Sequence, residues 1–204
     1  MEILRRISAV FIAALALMLS GPEAGAKVFS FGVEWGANAK LGELYHYNYI
    51  DNSGGRVDDK NSMFSYHANG HVLGKIGINL GQKFRLDVNS GYMGIADGTR
   101  VVPVTLRANI MPKGRSESGF MYFLDGGTFF NENLSDRLGL LGAAGFGYRI
   151  ALTRNVGLDF LFNVRCAYDH PDIVNPDGGF VLLENIRQNN AEYFSLGFSI
   201  SLDF

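Results

Sequence analysis

The sequence is poor in the features that most readily announce a function. One cysteine, Cys166, in 204 residues excludes an internal disulfide and a thiolate-rich metal cluster. Five prolines leave little to interrupt extended segments. The formal net charge of −2 excludes the basic excess on which nucleic-acid binding depends, and no run of like charge marks a disordered tail. Beyond residue 26 no apolar stretch reaches the roughly 18 residues a membrane-crossing helix needs, so only strands could cross a bilayer. What is plentiful is glycine, at 26 residues, and aromatic residues, at 13%. That mixture suits strands that bend and pack.

Residues 1–26 have the form of a signal peptide. Arg5 and Arg6 give a positive start, Ile7 to Leu19 is an apolar core broken only by Ser8, and Ala24-Gly25-Ala26 offers a small-x-small cleavage pattern before Lys27. Removing 26 of 204 residues leaves 178, enough for one domain over 27–204. This portion is expected to be exported.

Within it the dominant signal is period-two alternation, the mark of strands with one apolar and one polar face. Phe194, Leu196, Phe198, Ile200, Leu202 and Phe204 alternate with Ser195, Gly197, Ser199, Ser201 and Asp203. Phe29 to Leu41 repeats the pattern around Trp35. Further strands are expected over 64–80, 84–94, 102–110, 120–129, 138–152 and 156–168, with Leu73 the one large apolar residue out of phase in the second. That makes eight strands, long enough to cross a bilayer. Two long polar loops are expected, at 42–63 and 169–190. Tyr45, Tyr47 and Tyr49, with Phe129 and Phe130, suit either an aromatic rim at headgroup level or contact with a partner or glycan.

The signal peptide, the eight alternating strands and the terminal Phe204 together resemble the small eight-stranded outer-membrane β-barrels. These are the OmpA membrane domain and OmpX-type proteins, of the outer membrane protein β-barrel domain family. The resemblance implies an all-β, antiparallel up-and-down transmembrane barrel in the outer membrane of a Gram-negative bacterium. It further implies a monomer surrounded by outer-membrane lipid and lipopolysaccharide. Assembly would use the barrel-assembly machinery, which reads the last strand and its Phe204. It carries no reaction, cofactor or metal with it, and no nucleic-acid partner.

The faces of the strands locate any chemistry. The phase turns Glu34, His67, His71, Lys75, Arg85, Asp87, Arg107, Asp125, Arg149, Asp159 and Arg165 inward, together with Lys40. Eight strands leave room in the lumen only for side chains, and buried charges demand partners. A structural network of paired charges is therefore expected, with Glu34, Asp125 and Asp159 each in reach of an inward cation. The small inward residues Ser195, Gly197, Ser199 and Ser201 leave space for long side chains such as Glu34 or Arg165. His67 and His71 stand four apart on one strand, about 13 Å, too far to share a metal.

Three readings of function remain open from the residues. The first is a structural, adhesive or surface-display barrel without catalysis. The second is an envelope enzyme acting on lipid, of lipid A deacylase or acyltransferase type. The His-x-Ser arrangement of the deacylases is missing, and an acyltransferase would need His46, Asp51, Ser53 and His170 to converge. The third is a secreted lipocalin-like barrel, which would be apolar inside and polar outside.

Overall fold

The computed structural model describes residues 28–131, 138–174 and 178–204; the signal peptide expected over 1–26 lies outside them. Eight strands follow one another: β1 (Phe29–Ile50), β2 (Arg56–Leu80), β3 (Phe84–Ala96), β4 (Thr99–Ile110), β5 (Gly119–Asn131), β6 (Leu138–Ala151), β7 (Gly157–Asp169) and β8 (Ile186–Asp203). Each pairs antiparallel with its sequence neighbour, and β1 pairs with β8, so the sheet closes into a barrel. The backbone of Phe204 completes the seam, its N–H donating to the Phe31 carbonyl at 2.7 Å and its carbonyl accepting from the Phe31 N–H at 3.1 Å.

The strands run obliquely, as closure requires. Stepping across paired residues from Phe31 leads through Ile76, Val88, Leu106, Gly126, Gly142, Cys166 and Phe194 back to β1 at Gly42, well above the start.

The outer surface carries large apolar side chains from every strand, among them Trp35, Val72, Val88, Leu106, Leu124, Phe146, Val164 and Phe198. The inner surface holds the buried charged residues instead. An apolar exterior over a charged interior is the inverse of a soluble ligand-binding barrel and the pattern of a barrel immersed in hydrocarbon. No helix among the described residues is long and apolar enough to cross a membrane; this barrel crosses with strands.

Two expected loops are corrected by the structure. Residues 42–63 are mostly strand, because β1 runs to Ile50 and β2 starts at Arg56, leaving only a tight tip at 51–55. A bulge between Lys40 and Gly42 explains the misreading. One inserted residue flips the inward phase from even to odd positions, so the Tyr45-x-Tyr47-x-Tyr49 alternation continues the strand out of step. The second loop shrinks to 170–185, because β8 begins at Ile186. It contains an isolated bridge between Val174 and Phe180 and a short 3-10 turn at Leu183–Asn185.

The strand lengths make the barrel lopsided. β2 pairs with β3 only from His71 to Leu80, whereas it pairs with β1 all the way up to Arg56. A three-stranded sheet of β2, β1 and β8 therefore rises beyond the short β3–β4 turn.

Close packing across the seam depends on glycine. Gly36 pairs with Ser199, and a Cβ there would stand 2.6 Å from the Ser199 Cα and Cβ. Backbone that close cannot yield cheaply, so Gly36→Ala is expected to cost about 1–3 kcal/mol. The check is the temperature at which the folded, faster-migrating gel band disappears, which should fall for Gly36→Ala and stay put for Gly70→Ala, where a Cβ meets nothing nearer than 3.8 Å.

Candidate functional site

The lumen gathers the buried charges of the described residues, and it has two storeys. In the lower one, Arg107 on β4 lies between two carboxylates on different walls. Its Nη1 donates to Glu34 Oε2 at 2.5 Å, and its Nη2 and Nε donate to Asp125 Oδ2 at 2.8 and 3.0 Å. Its guanidinium also lies 4.7 Å from the centre of the Phe123 ring. Glu34 additionally accepts from Ser199 Oγ at 2.9 Å, and His71 Nε2 stands 3.5 Å from Glu34 Oε1. The other ring nitrogen, Nδ1, is 3.1 Å from the Asn38 amide nitrogen. That bond makes Nδ1 the acceptor and leaves the Nε2 proton facing Glu34.

Below this group Asp203 gathers three cations. Lys75 Nζ stands 2.7 Å from Oδ1, while Arg85 Nη1 and Arg149 Nη1 stand 2.7 and 3.4 Å from Oδ2. Arg149 also reaches Asp159 at 3.1 Å, and Arg85 Nε reaches Asp87 at 3.0 Å. Asp87 accepts a further bond from Asn109 at 2.7 Å. With Asp125 of β5 these groups come from all eight strands, so the network ties distant walls together. A small apolar cluster of Met111, Met121, Phe123 and Leu161 packs beside it. That cluster explains why β5 is apolar on both faces near its start.

The upper storey is lined mainly by apolar side chains rather than by paired charges. Leu73, Met93, Ile95, Ala96, Val101, Phe129, Leu141, Ala167, Ala191 and Tyr193 form one buried cluster drawn from β2 to β8, and Tyr45 of β1 packs against it. Leu73, out of phase in sequence, is therefore a member of this septum. So is Phe129, which is wholly buried rather than part of a rim. Tyr47 and Tyr49 likewise turn inward, to a third cluster with Ile173, Val181, Val57 and Ile186 near the top. Tyr45 and Tyr47 stack with ring centres 4.8 Å apart.

Of the residues expected inward, Glu34, His71, Lys75, Arg85, Asp87, Arg107, Asp125, Arg149 and Asp159 are buried and joined as above. His67 stands apart, partly exposed with Nε2 3.6 Å from Asp97 Oδ1 of the β3–β4 turn. Arg165 is buried but lies within 4.0 Å of no carboxylate among the described residues. Lys40 pairs with Glu43 at 2.8 Å across the bulge. The hub Asp203 was the carboxylate to add from sequence: it sits in the same odd phase as Ser195 to Ser201.

The residues an acyltransferase site would need do not converge. His46 Nε2 bonds Asp58 at 2.9 Å, Asp51 bonds Ser53 within the hairpin tip, and His170 Nδ1 meets the Asn189 carbonyl at 2.5 Å. Among the described residues no cluster of three His, Cys, Asp or Glu side chains is placed to hold a metal.

Chemically, the lower storey is a set of fixed, opposed charges held close together. Removing Arg107 would strand two buried carboxylates, so Arg107→Met is expected to cost about 3–5 kcal/mol. Adding Glu34→Gln to it should recover part of that loss. Urea unfolding in lipid vesicles, followed by fluorescence of Trp35, the one tryptophan, measures both.

No family model matches the sequence, and no curated protein matches it either. Among solved structures, the chain is similar to the outer membrane protein OprG from Pseudomonas aeruginosa at 12% identity, covering 88% of this chain and 98% of that one with a TM-score of 0.49. It is also similar to Neisserial surface protein A, at 15% identity over 87% of this chain and 99% of that one, TM-score 0.39. A designed transmembrane β-barrel aligns at 10% identity over 79% and 94% of the two chains, TM-score 0.34.

Proposed function

We propose that this protein is a non-catalytic surface-display barrel of the Gram-negative outer membrane, which adheres through the free edge of its raised sheet. The carrying observation is β2 from Arg56 to Phe64, which among the described residues has a strand partner on one side only. An unpaired edge offers a row of backbone donors and acceptors to an incoming extended segment. Its side chains fit that use: Phe64 and Tyr66 are 82% and 69% exposed, and Arg56, Asp58, Asp59 and Lys60 supply charges of both signs.

The remaining features serve that display. The apolar outer belt takes outer-membrane lipid and lipopolysaccharide as its surroundings. The last strand and Phe204 offer the barrel-assembly machinery its signal. A monomeric barrel suffices, since the ion network is complete within one chain. Tethering the edge to a rigid base reduces the entropy lost when a partner strand docks.

Binding of cells carrying the protein to immobilised host or bacterial surface proteins tests this reading. Phe64→Lys with Tyr66→Lys should abolish adhesion while the heat-shifted gel band persists; adhesion at the original level would contradict the edge as the contact.

The tip that holds this edge has its own titration. Asp51 accepts from Ser53 Oγ at 2.7 Å, from the Gly55 N–H at 2.7 Å and from the Ser53 N–H at 2.9 Å. The Ser53 hydroxyl first, then the Gly55 amide, hold its carboxyl below the usual aspartate range. A depressed folded value means the ordering is fully present above the unfolded pKa and fades as pH falls through the folded one. Protease nicking at 51–55 should therefore stay slow at neutral pH and accelerate only in strong acid. Asp51→Ala should be nicked readily at every pH.

A further inference from the structure

The buried cations of the lower lumen, Lys75, Arg85, Arg107, Arg149 and Arg165, are matched by the buried carboxylates Glu34, Asp87, Asp125, Asp159 and Asp203. A second set of cations has no such balance. It lies at the end of the barrel opposite the raised sheet, the periplasmic end in the outer-membrane reading. Three connections close that end, 81–83, 111–118 and 152–156. They carry Lys83, Lys113, Arg115 and Arg154 against the single acid Glu117. Even with the α-carboxylate of Phe204 at the same end, the cations are in excess.

Hydrogen bonds make one platform of the three connections. The Met111 N–H donates to the Lys83 carbonyl at 2.7 Å, and the Arg115 N–H to the Gln82 carbonyl at 2.8 Å. On the other side the Ser116 hydroxyl donates to the Arg154 carbonyl at 3.5 Å, and Ser118 Oγ accepts from the Ala151 N–H at 3.0 Å. The stem of Lys113 folds over Gly119, where a Cβ would stand 2.9 Å from its Cδ. The cations are therefore held as a group rather than spread over independent loops.

Arg115 and Arg154 line a narrow crevice together with Arg85 and Arg149. Its one acidic side chain, Asp203, is already engaged by Lys75, Arg85 and Arg149. Burial first, then the Arg149 and Arg85 charges, push the Arg115 guanidinium below the usual arginine value. Lys83, Lys113 and Arg154 are exposed and form no ion pair among the described residues. Beside them on the outer wall stand the exposed apolar side chains Phe84, Ile110, Phe120 and Leu152. Cations at the edge of an apolar belt stand at the depth of lipid phosphates.

We propose that this platform is a docking surface for anionic glycerophospholipid of the inner leaflet. Lys83, Lys113 and Arg154 hold the phosphate through charge-assisted hydrogen bonds, while the acyl chains lie on the adjoining apolar wall. Opposite charge and continuity with the lipid-facing belt together single out a lipid, since a soluble acidic protein or glycan would meet the cations but not the belt. The crevice has about 20 Å³ of free space, room for a water and no more. The headgroup therefore rests on the platform and does not enter the lumen.

The test uses the whole barrel refolded into detergent micelles that hold phosphatidylglycerol and phosphatidylcholine of identical chains in equal amounts. Lipid retained in native mass spectrometry reads the preference. The unaltered protein should retain on the order of five-fold more phosphatidylglycerol, a ratio that falls as salt rises. Lys83→Gln, Lys113→Gln and Arg154→Gln combined should erase it. Lys83→Arg, Lys113→Arg and Arg154→Lys combined should keep it. These positions are exposed, and the heat-shifted gel band checks that both variants fold. Equal retention of the two lipids by the unaltered protein, or a preference that survives the three glutamines, would overturn the proposal. So would displacement of the lipid by soluble glycerol phosphate, which would make this a phosphate-ester site independent of the wall. The proposal rests on the outer-membrane reading but not on adhesion through the β2 edge. Phe64→Ser with Tyr66→Ser should therefore leave the preference intact, and its loss there would assign the lipid to the raised sheet instead.

Discussion

The structure depends on one constraint: a closed sheet whose outer face lies in hydrocarbon must place its charges inside, and inside they must be satisfied. The Glu34–Arg107–Asp125 bridge is the clearest result. It joins β1, β4 and β5 across the lumen, where no bulk water moderates the interaction. Asp203 does the same for Lys75, Arg85 and Arg149 at the lower end. A buried ion pair is weak evidence for extra stability but strong evidence for uniqueness of arrangement, since one misplaced partner leaves an expensive orphan. The network therefore acts on register. Sliding any strand by one residue would turn its charges into lipid.

The division of the lumen follows from the same constraint. Charges occupy the part enclosed by all eight walls, and an apolar septum from Leu73 to Tyr193 closes it above. Beyond that level the sheet no longer needs to be complete, because water can satisfy an unpaired strand. The barrel uses this freedom on one side only. β1, β2 and β8 continue upward while β3 and β4 turn back at once. A rigid base beneath a raised, half-open sheet leaves one edge of β2 without a strand partner among the described residues.

Much of the fold was legible in the sequence because period-two alternation survives without tertiary help. Strand number, topology and the inward face of β2 to β8 follow from it. What escaped were the consequences of single residues. The inserted residue at Leu41-Gly42 reversed the phase of β1 and disguised a strand as a polar loop. Leu73 and Phe129 looked like exceptions until the septum gave them a common destination. Asp203 carried an inward phase yet, at the chain's last strand, showed no sign of being the hub for three cations. Pairings such as Arg107 with Glu34, 73 residues apart, are set by shear and register, which no local pattern contains. For the same reason the alternation says that Arg165 points inward, not which carboxylate stands near it.

The central claim, apolar face to lipid and charged face to lumen, can be read from Trp35. It points outward from the middle of the barrel wall, opposite in phase to the buried Glu34 beside it. Fluorescence quenching in vesicles compares bromine carried on the lipid chains with iodide in the aqueous phase. The account predicts strong quenching by brominated chains and almost none by iodide. Quenching by iodide with indifference to brominated lipid would show that this face meets water, and would contradict it.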